Sequence, residues 1–132
     1  MIFADSSFWI ALQSKGDQRH DQARRLAMAH GSVPVTTSDQ IRGETWTFIR
    51  RRGGHRAAVA FLDLLETSAR VTVEFVTQAD QEVALAWLRR HDEREYSFVD
   101  ATSFAVMRRR RISKAFAFDG DFAAADFTEL RP

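Results

Sequence analysis

The chain opens Met1-Ile2-Phe3-Ala4-Asp5-Ser6-Ser7-Phe8-Trp9-Ile10-Ala11-Leu12-Gln13, and the organisation of the rest is already visible in that stretch. Ile2-Phe3-Ala4 is an apolar run too short for a helix, so it reads as a buried strand. Asp5 and two serines interrupt the run, and from Phe8 to Gln13 apolar residues return at helical spacing. A strand, an acid and then a helix form one repeat unit of an α/β architecture.

Outward from there the alternation continues. Val33-Pro34-Val35, Val71 to Val76 and Ala115 to Phe118 are further short apolar or β-branched runs, and Phe127 to Leu130 supplies a last one. Between them, Asp17 to Ala29, Asp39 to Arg51, Arg56 to Glu66, Gln78 to His91 and Ser97 to Arg109 carry helical periodicity. Arg52-Gly53-Gly54-His55 reads as a turn between two of these helices. Strands alternating with helices predict a parallel sheet covered on both faces by right-handed crossovers. The expected class is α/β, and 132 residues without internal repeat or linker predict one domain over 1–132.

Apolar residues make up 45% of the chain and charged ones 28%, a globular composition. No run approaches the ~18 apolar residues of a membrane span, and the N-terminus lacks a signal-peptide pattern. A cytoplasmic protein with no membrane partner is expected. The absence of cysteine excludes disulfides and thiolate metal sites, leaving oxygen or imidazole to hold any ion. Nineteen basic against 18 acidic side chains give a net charge of +1, so only the distribution of charge is informative. Arg50, Arg51 and Arg52 with Arg56, and the run Arg108 to Arg111, stand near helix C-termini. Compensation of the helix dipole and contact with phosphate are both open to them.

The acids carry more. In open parallel sheets, ligands bind beyond the carboxyl ends of the strands. Asp5 follows the first strand and Asp119 follows the Ala115 to Phe118 strand, although a helix start at Asp5 and a plain turn at Asp119-Gly120-Asp121 are the ordinary alternatives. Glu44 lies three residues after Ile41 and four before Phe48, which predicts a shared inward face where a carboxylate needs a counter-charge. Asp100 is in phase with Phe104 and Met107 and is expected to face inward, while Ser97 three residues earlier fits a capping box equally well. Taken together, clustered carboxylates are hard oxygen donors suited to Mg²⁺ or Mn²⁺. Such ions activate water and neutralise charge in phosphodiester hydrolysis. His20, His30, His55 and His91 show no metal-ligand spacing, and no nucleophile elbow or phosphate-binding glycine loop occurs.

Asp5-Ser6-Ser7 after the first strand, Glu44, Asp100-Ala101 opening a helix, and Asp119-Gly120-Asp121-Phe122 after a late strand together resemble the PIN-domain nucleases. The size and the ending Phe127-Thr128-Glu129-Leu130-Arg131-Pro132 resemble, more narrowly, the VapC toxins of bacterial toxin–antitoxin pairs. The resemblance implies a three-layer α/β/α fold and a Mg²⁺- or Mn²⁺-dependent endoribonuclease acting on single-stranded or loop RNA. It further implies a homodimer silenced by a small antitoxin protein. Carried over by position, Asp5, Glu44, Asp100 and Asp119 are the acidic quartet, Asp121 is a fifth acid competing with Asp119 as metal ligand, and Ser7 orients Asp5. Arg50, Arg51, Arg52 and Arg56 are then candidates for the RNA backbone. Trp9, Trp46 and Phe61 belong either to the core or to an exposed partner groove or stacking surface.

Three other readings share parts of this pattern. A PIN-like module could grip RNA or a protein without catalysis. A phospho-receiver has the same layout but wants an acidic pair after the first strand and a lysine after the last. A haloacid-dehalogenase-type phosphatase uses a strand-end Asp-x-Asp such as Asp119-Gly120-Asp121, yet places it near the N-terminus, whereas only 11 residues follow Asp121 here.

Overall fold

A computed structural model describes residues 1–132. The elements in chain order are β1 (Ile2–Ala4), α1 (Ser6–Gln13), α2 (His20–Ala29), β2 (Val35–Ser38), α3 (Asp39–Gly53), α4 (His55–Thr67), β3 (Val71–Glu74), α5 (Gln78–Arg90), α6 (Phe98–Arg110), β4 (Lys114–Phe116), α7 (Asp121–Ala124) and β5 (Thr128–Glu129). The sheet is ordered β3-β2-β1-β4-β5 and every neighbouring pair is parallel. Ile2 faces Val35 on one side and Lys114 on the other, which places β1 at the centre.

This order explains the layering. From β1 the chain moves to β2 and β3 in one direction, then returns across the sheet to β4 and β5 in the other. Right-handed crossovers in opposite directions put their helices on opposite faces. Accordingly α1 to α4 pack on one another, while α5, α6 and α7 form a separate layer, giving the three-layer α/β/α arrangement. Strand order reverses between β1 and β4, the switch point at which such folds open a crevice.

The core is a cluster of 27 buried residues in which Phe3, Phe8, Phe61, Phe104, Phe116 and Phe122 are fully enclosed. Trp9 and Phe61 belong to it, with ring centroids 6.1 Å apart, and so take the core alternative rather than the exposed one. Trp46 is half-buried and meets His55 edge-on.

Four strands shift their bounds: β3 ends at Glu74 rather than Val76, β5 covers only Thr128 and Glu129, and the changes at β2 and β4 have a visible cause. β2 begins at Val35 and takes in Thr36, Thr37 and Ser38, all buried, instead of ending at Val35. Thr37 and Ser38 are tolerated there because their hydroxyls are hydrogen-bonded. Thr37 Oγ1 donates to Ala4 O at 2.8 Å and accepts from Trp9 Nε1 at 3.2 Å, and Ser38 Oγ caps α3 by accepting from Ile41 N at 3.1 Å. β4 runs from Lys114 to Phe116 and stops two residues sooner than expected, because the next backbone groups turn to side chains. Ala117 O accepts from Arg131 Nη1, and Phe118 N donates to Ser7 Oγ at 3.2 Å.

Two arginines of the Arg108 to Arg111 run, Arg109 and Arg110, have carboxylate partners within the fold. Arg109 forks onto both oxygens of Asp80 at 2.8 Å and reaches Glu74 at 3.0 Å, tying the end of α6 to α5 and β3. The guanidinium holds the Asp80 carboxyl below its usual range. Arg110 approaches Glu74 at 3.8 Å, Arg111 ends the helix in left-handed backbone, and Arg108 lies over the Phe127 ring.

Candidate active site

Asp5 is the first residue beyond β1 and is only 2% exposed. Its backbone N–H is taken by Phe116 O across the switch point, so its position is fixed by the sheet itself. The carboxylate caps α1: Oδ2 accepts from Ser7 N at 3.3 Å and from Ser7 Oγ at 2.8 Å. Ser7 therefore orients Asp5, and by accepting from Phe118 N it also pins the chain that leads to Asp119.

Asp100 arrives from the other layer. α6 runs back toward β4, so its N-terminus lies at the carboxyl edge of the parallel sheet. Ser97 Oγ accepts from Asp100 N at 2.9 Å and Asp100 Oδ2 accepts from Ser97 N at 3.0 Å, the reciprocal capping box. Cap and buried acid are thus not alternatives, since Asp100 is both. It is 9% exposed, and one of its two oxygens remains outside the cap.

Asp119 follows the short Ala117-Phe118 extension of β4, and the next residue, Gly120, has φ 84°. Glycine suits that left-handed backbone, and a Cβ there would stand 3.3 Å from Arg94 Nη2. Arg94 donates through Nε to Asp121 Oδ1 at 2.9 Å and through Nη2 to Asp119 O at 3.1 Å. On the other side, Glu129 accepts from Gly120 N and Ala123 N. Asp121 thus has a guanidinium partner, whereas the Asp119 carboxylate has only a long contact of 3.4 Å from Asp121 N.

The acids feel one another. Burial, then the charges of Asp119 and Asp100, push Asp5 from 3.8 up to about 7. Asp100 is raised to about 6, first by burial and then by Asp121 and Asp119. Asp119 is raised as well, by partial withdrawal from water and by Asp121. They nonetheless do not converge, for no three acidic or histidine side chains close on a single point.

Glu44 departs from its expected place. The buried stripe of α3 is Ile41, Thr45 and Ile49, one residue out of phase with the expected Ile41–Glu44–Phe48 face. Glu44 is exposed, and its Oε1 accepts from Ser6 Oγ at 2.7 Å. That bond attaches it to the residue beside Asp5, but the strongest charges acting on Asp5, Asp100 and Asp119 do not include it. It is a rim residue beside the acids.

Arg50, Arg51, Arg52 and Arg56 are all exposed and make no ion pair. The first three occupy the last turn of α3 and offset its dipole, which leaves their guanidinium groups free for an anion. Ser6, Arg94 and Glu129 are the positioning residues that sequence reasoning missed. A second hydroxyl after Asp5 was the only clue to Ser6, and none pointed to Arg94 or Glu129, whose partners lie beyond any local spacing.

The PIN domain family model matches residues 2–128, and the chain belongs to that family. Among curated proteins, the 23S rRNA-specific endonuclease VapC20 of Mycobacterium tuberculosis, from two strains, is 58% identical over 132 residues, covering 100% of this chain and 99% of the relative. The crystal structure of Mycobacterium tuberculosis VapC20, described as a Sarcin-Ricin loop cleaving toxin, matches with a TM-score of 0.93 at 57% identity, with both chains covered in full. No helix is long and apolar enough to cross a membrane.

Proposed function

We propose that the protein is a metal-dependent endoribonuclease that cuts loop RNA, with the sarcin–ricin loop of large-subunit ribosomal RNA as its substrate, and that it is the toxin of a toxin–antitoxin pair. The observation that carries this reading is the end-to-end likeness, at 58% identity, to a 23S rRNA-specific endonuclease. The placement of Asp5, Asp100 and Asp119 at the switch point supports it, since burial raises the pKa of all three, the charge of Asp119 adds to the rise at Asp5 and Asp100, and a cation would relieve that crowding.

Hard oxygen donors without cysteine or imidazole fit Mg²⁺ or Mn²⁺. Although they do not close on one point, Asp5, Asp100 and Asp119 are the residues that would hold such an ion, which needs only one or two carboxylates and would supply positive charge to the phosphate and lower the pKa of a water. The rest belongs to the chain. Ser7 keeps Asp5 in one rotamer, the Ser97 cap does the same for Asp100, and Arg94 retains Asp121 so that Asp119 is the acid left to face the site. Glu44, held by Ser6, stands at the rim within reach of a bound substrate. A cytoplasmic homodimer silenced by a small antitoxin completes the reading.

The test is cleavage of a hairpin RNA carrying the sarcin–ricin loop sequence. The purified protein is expected to cut it with Mn²⁺ or Mg²⁺ and to stop on chelation, while Asp5→Asn and Asp100→Asn fold normally and are inert. Undiminished cutting by either variant overturns the reading, and RNA binding without cutting by the wild type would select the non-catalytic module instead.

A further inference from the structure

The phase that exposes Glu44 also exposes Phe48, whose ring is 38% accessible although it was expected in the core. Phe48 forms the ridge between two adjoining hollows. One, of about 380 Å³, extends from Phe48 to Ser7 and Asp119. The other, of about 580 Å³, extends from Phe48 past Glu44 to Arg51 and Arg52. An accessible aromatic ring thus sits between the acids and two unpaired arginines.

The lining decides what such a ridge fits. In the second hollow Phe48 is the only apolar residue of six, and the half-apolar hollow that Phe48 and Arg52 share with Ile10, Ile49 and Ala57 holds only about 110 Å³, so a partner helix would find little to bury there. The Arg52 guanidinium lies 5.0 Å from the Phe48 ring centroid, and Arg19 lies 5.2 Å from that of Phe118 on the floor of the first hollow. Aromatic rings beside Arg52 and Arg19, neither of which makes an ion pair, match a single strand of nucleic acid, which offers flat bases and phosphates together.

We propose that Phe48, with Arg52 beside it, is a stacking subsite that seats one unpaired base of the RNA, while Arg51 and Arg52 meet the backbone on the side away from Asp119. The inference rests on the RNA-cleaving reading and adds to it the point at which a splayed nucleotide is held.

The experiment uses the full chain carrying Asp5→Asn, the variant expected not to cut, and a fluorescent sarcin–ricin hairpin whose loop nucleotides are replaced one at a time by abasic residues. Phe48→Ala in that background is expected to weaken binding by roughly five- to a hundredfold, and Phe48→Trp to restore it. At one loop position the abasic substitution should cost the parent protein as much as Phe48→Ala does, and cost the Phe48→Ala protein nothing more. Unchanged binding by Phe48→Ala, or additive losses at every loop position, overturns the subsite. Loss of antitoxin binding with RNA affinity intact assigns the ridge to a protein and overturns it too. Cleavage by the wild type is scored separately: if it cuts the hairpin and Phe48→Ala binds normally, only the subsite fails, and if it cuts no RNA, the endoribonuclease reading fails.

Discussion

Replacing Asp5 by asparagine should make the protein more stable while abolishing its activity. A carboxyl raised from 3.8 to about 7 keeps its proton in the folded chain over a range where the unfolded chain has released it. The folded state then binds more protons, so stability falls as pH climbs from about 4 to about 7 and levels off above. At ~1.36 kcal/mol per unit, the full effect has a ceiling of roughly 4 kcal/mol at pH 8. Asparagine removes the charge but keeps both structural duties, since its side-chain oxygen can still accept from Ser7 N and Ser7 Oγ and it is as good an N-cap as aspartate. For a chain of this length, each kcal/mol moves the melting temperature by about 3 to 4 °C. In EDTA at pH 8, Asp5→Asn should therefore melt roughly 5 to 15 °C above the wild type, and the gap should close toward pH 4. Circular-dichroism melts at a series of pH values measure both. Equal melting temperatures at pH 8, or a gap that widens on acidification, would refute the electrostatic account of the site.

Metal affinity should follow the same protons, since Asp5 and Asp100 must be ionised to bind a cation. With values of about 7 and about 6, Mn²⁺ should bind on the order of a hundredfold more tightly at pH 7.5 than at pH 5.5, and a pH-independent calorimetric titration would contradict this. The two roles of Asp100 separate by mutation. Ser97→Ala should cost about 1 kcal/mol of stability yet retain cleavage, whereas Asp100→Asn should lose cleavage at little cost in stability; inactive Ser97→Ala of normal stability would count against the division. Thr37→Val strips the buried Ala4 carbonyl and Trp9 indole of their shared hydroxyl and should cost about 1 to 3 kcal/mol, a loss that an unchanged denaturant midpoint would disprove.

The alternation of strands and helices, the parallel sheet it implies and the strand-end or helix-start positions of Asp5, Asp100 and Asp119 were legible because each depends on local signals: an apolar run, a cap, an acid at a strand end. Glu44 and Phe48 were misplaced for an equally local reason. The buried stripe of α3 passes through Thr45, a polar residue whose hydroxyl is buried without a partner, and a reading guided by apolar residues steps over it to Phe48. Thr36, Thr37 and Ser38 hid the extent of β2 in the same way, by being polar in the core. The Arg94 and Glu129 contacts with the Asp119 loop join residues 25 and 9 positions apart, and no periodicity encodes such a bond. The Arg108 to Arg111 run could not be told from an anion site until Asp80 and Glu74 were seen to occupy it.

The Ser7 hydroxyl decides which oxygen of Asp5 stays free. It has one hydrogen, given to Asp5 Oδ2, and that same oxygen also takes the Ser7 backbone N–H, so both bonds fall on one side of the carboxylate. Oδ1 is left with no partner in the chain. A cation held by Asp5 would find Oδ1 the less encumbered oxygen, which would favour the single-oxygen contact that small hard ions accept. With its second lone pair on Phe118 N–H, the same hydroxyl sets the spacing between the strand that carries Asp5 and the one that leads to Asp119. One oxygen atom in the first turn of the first helix thus leaves a single face of Asp5 open to whatever the site binds.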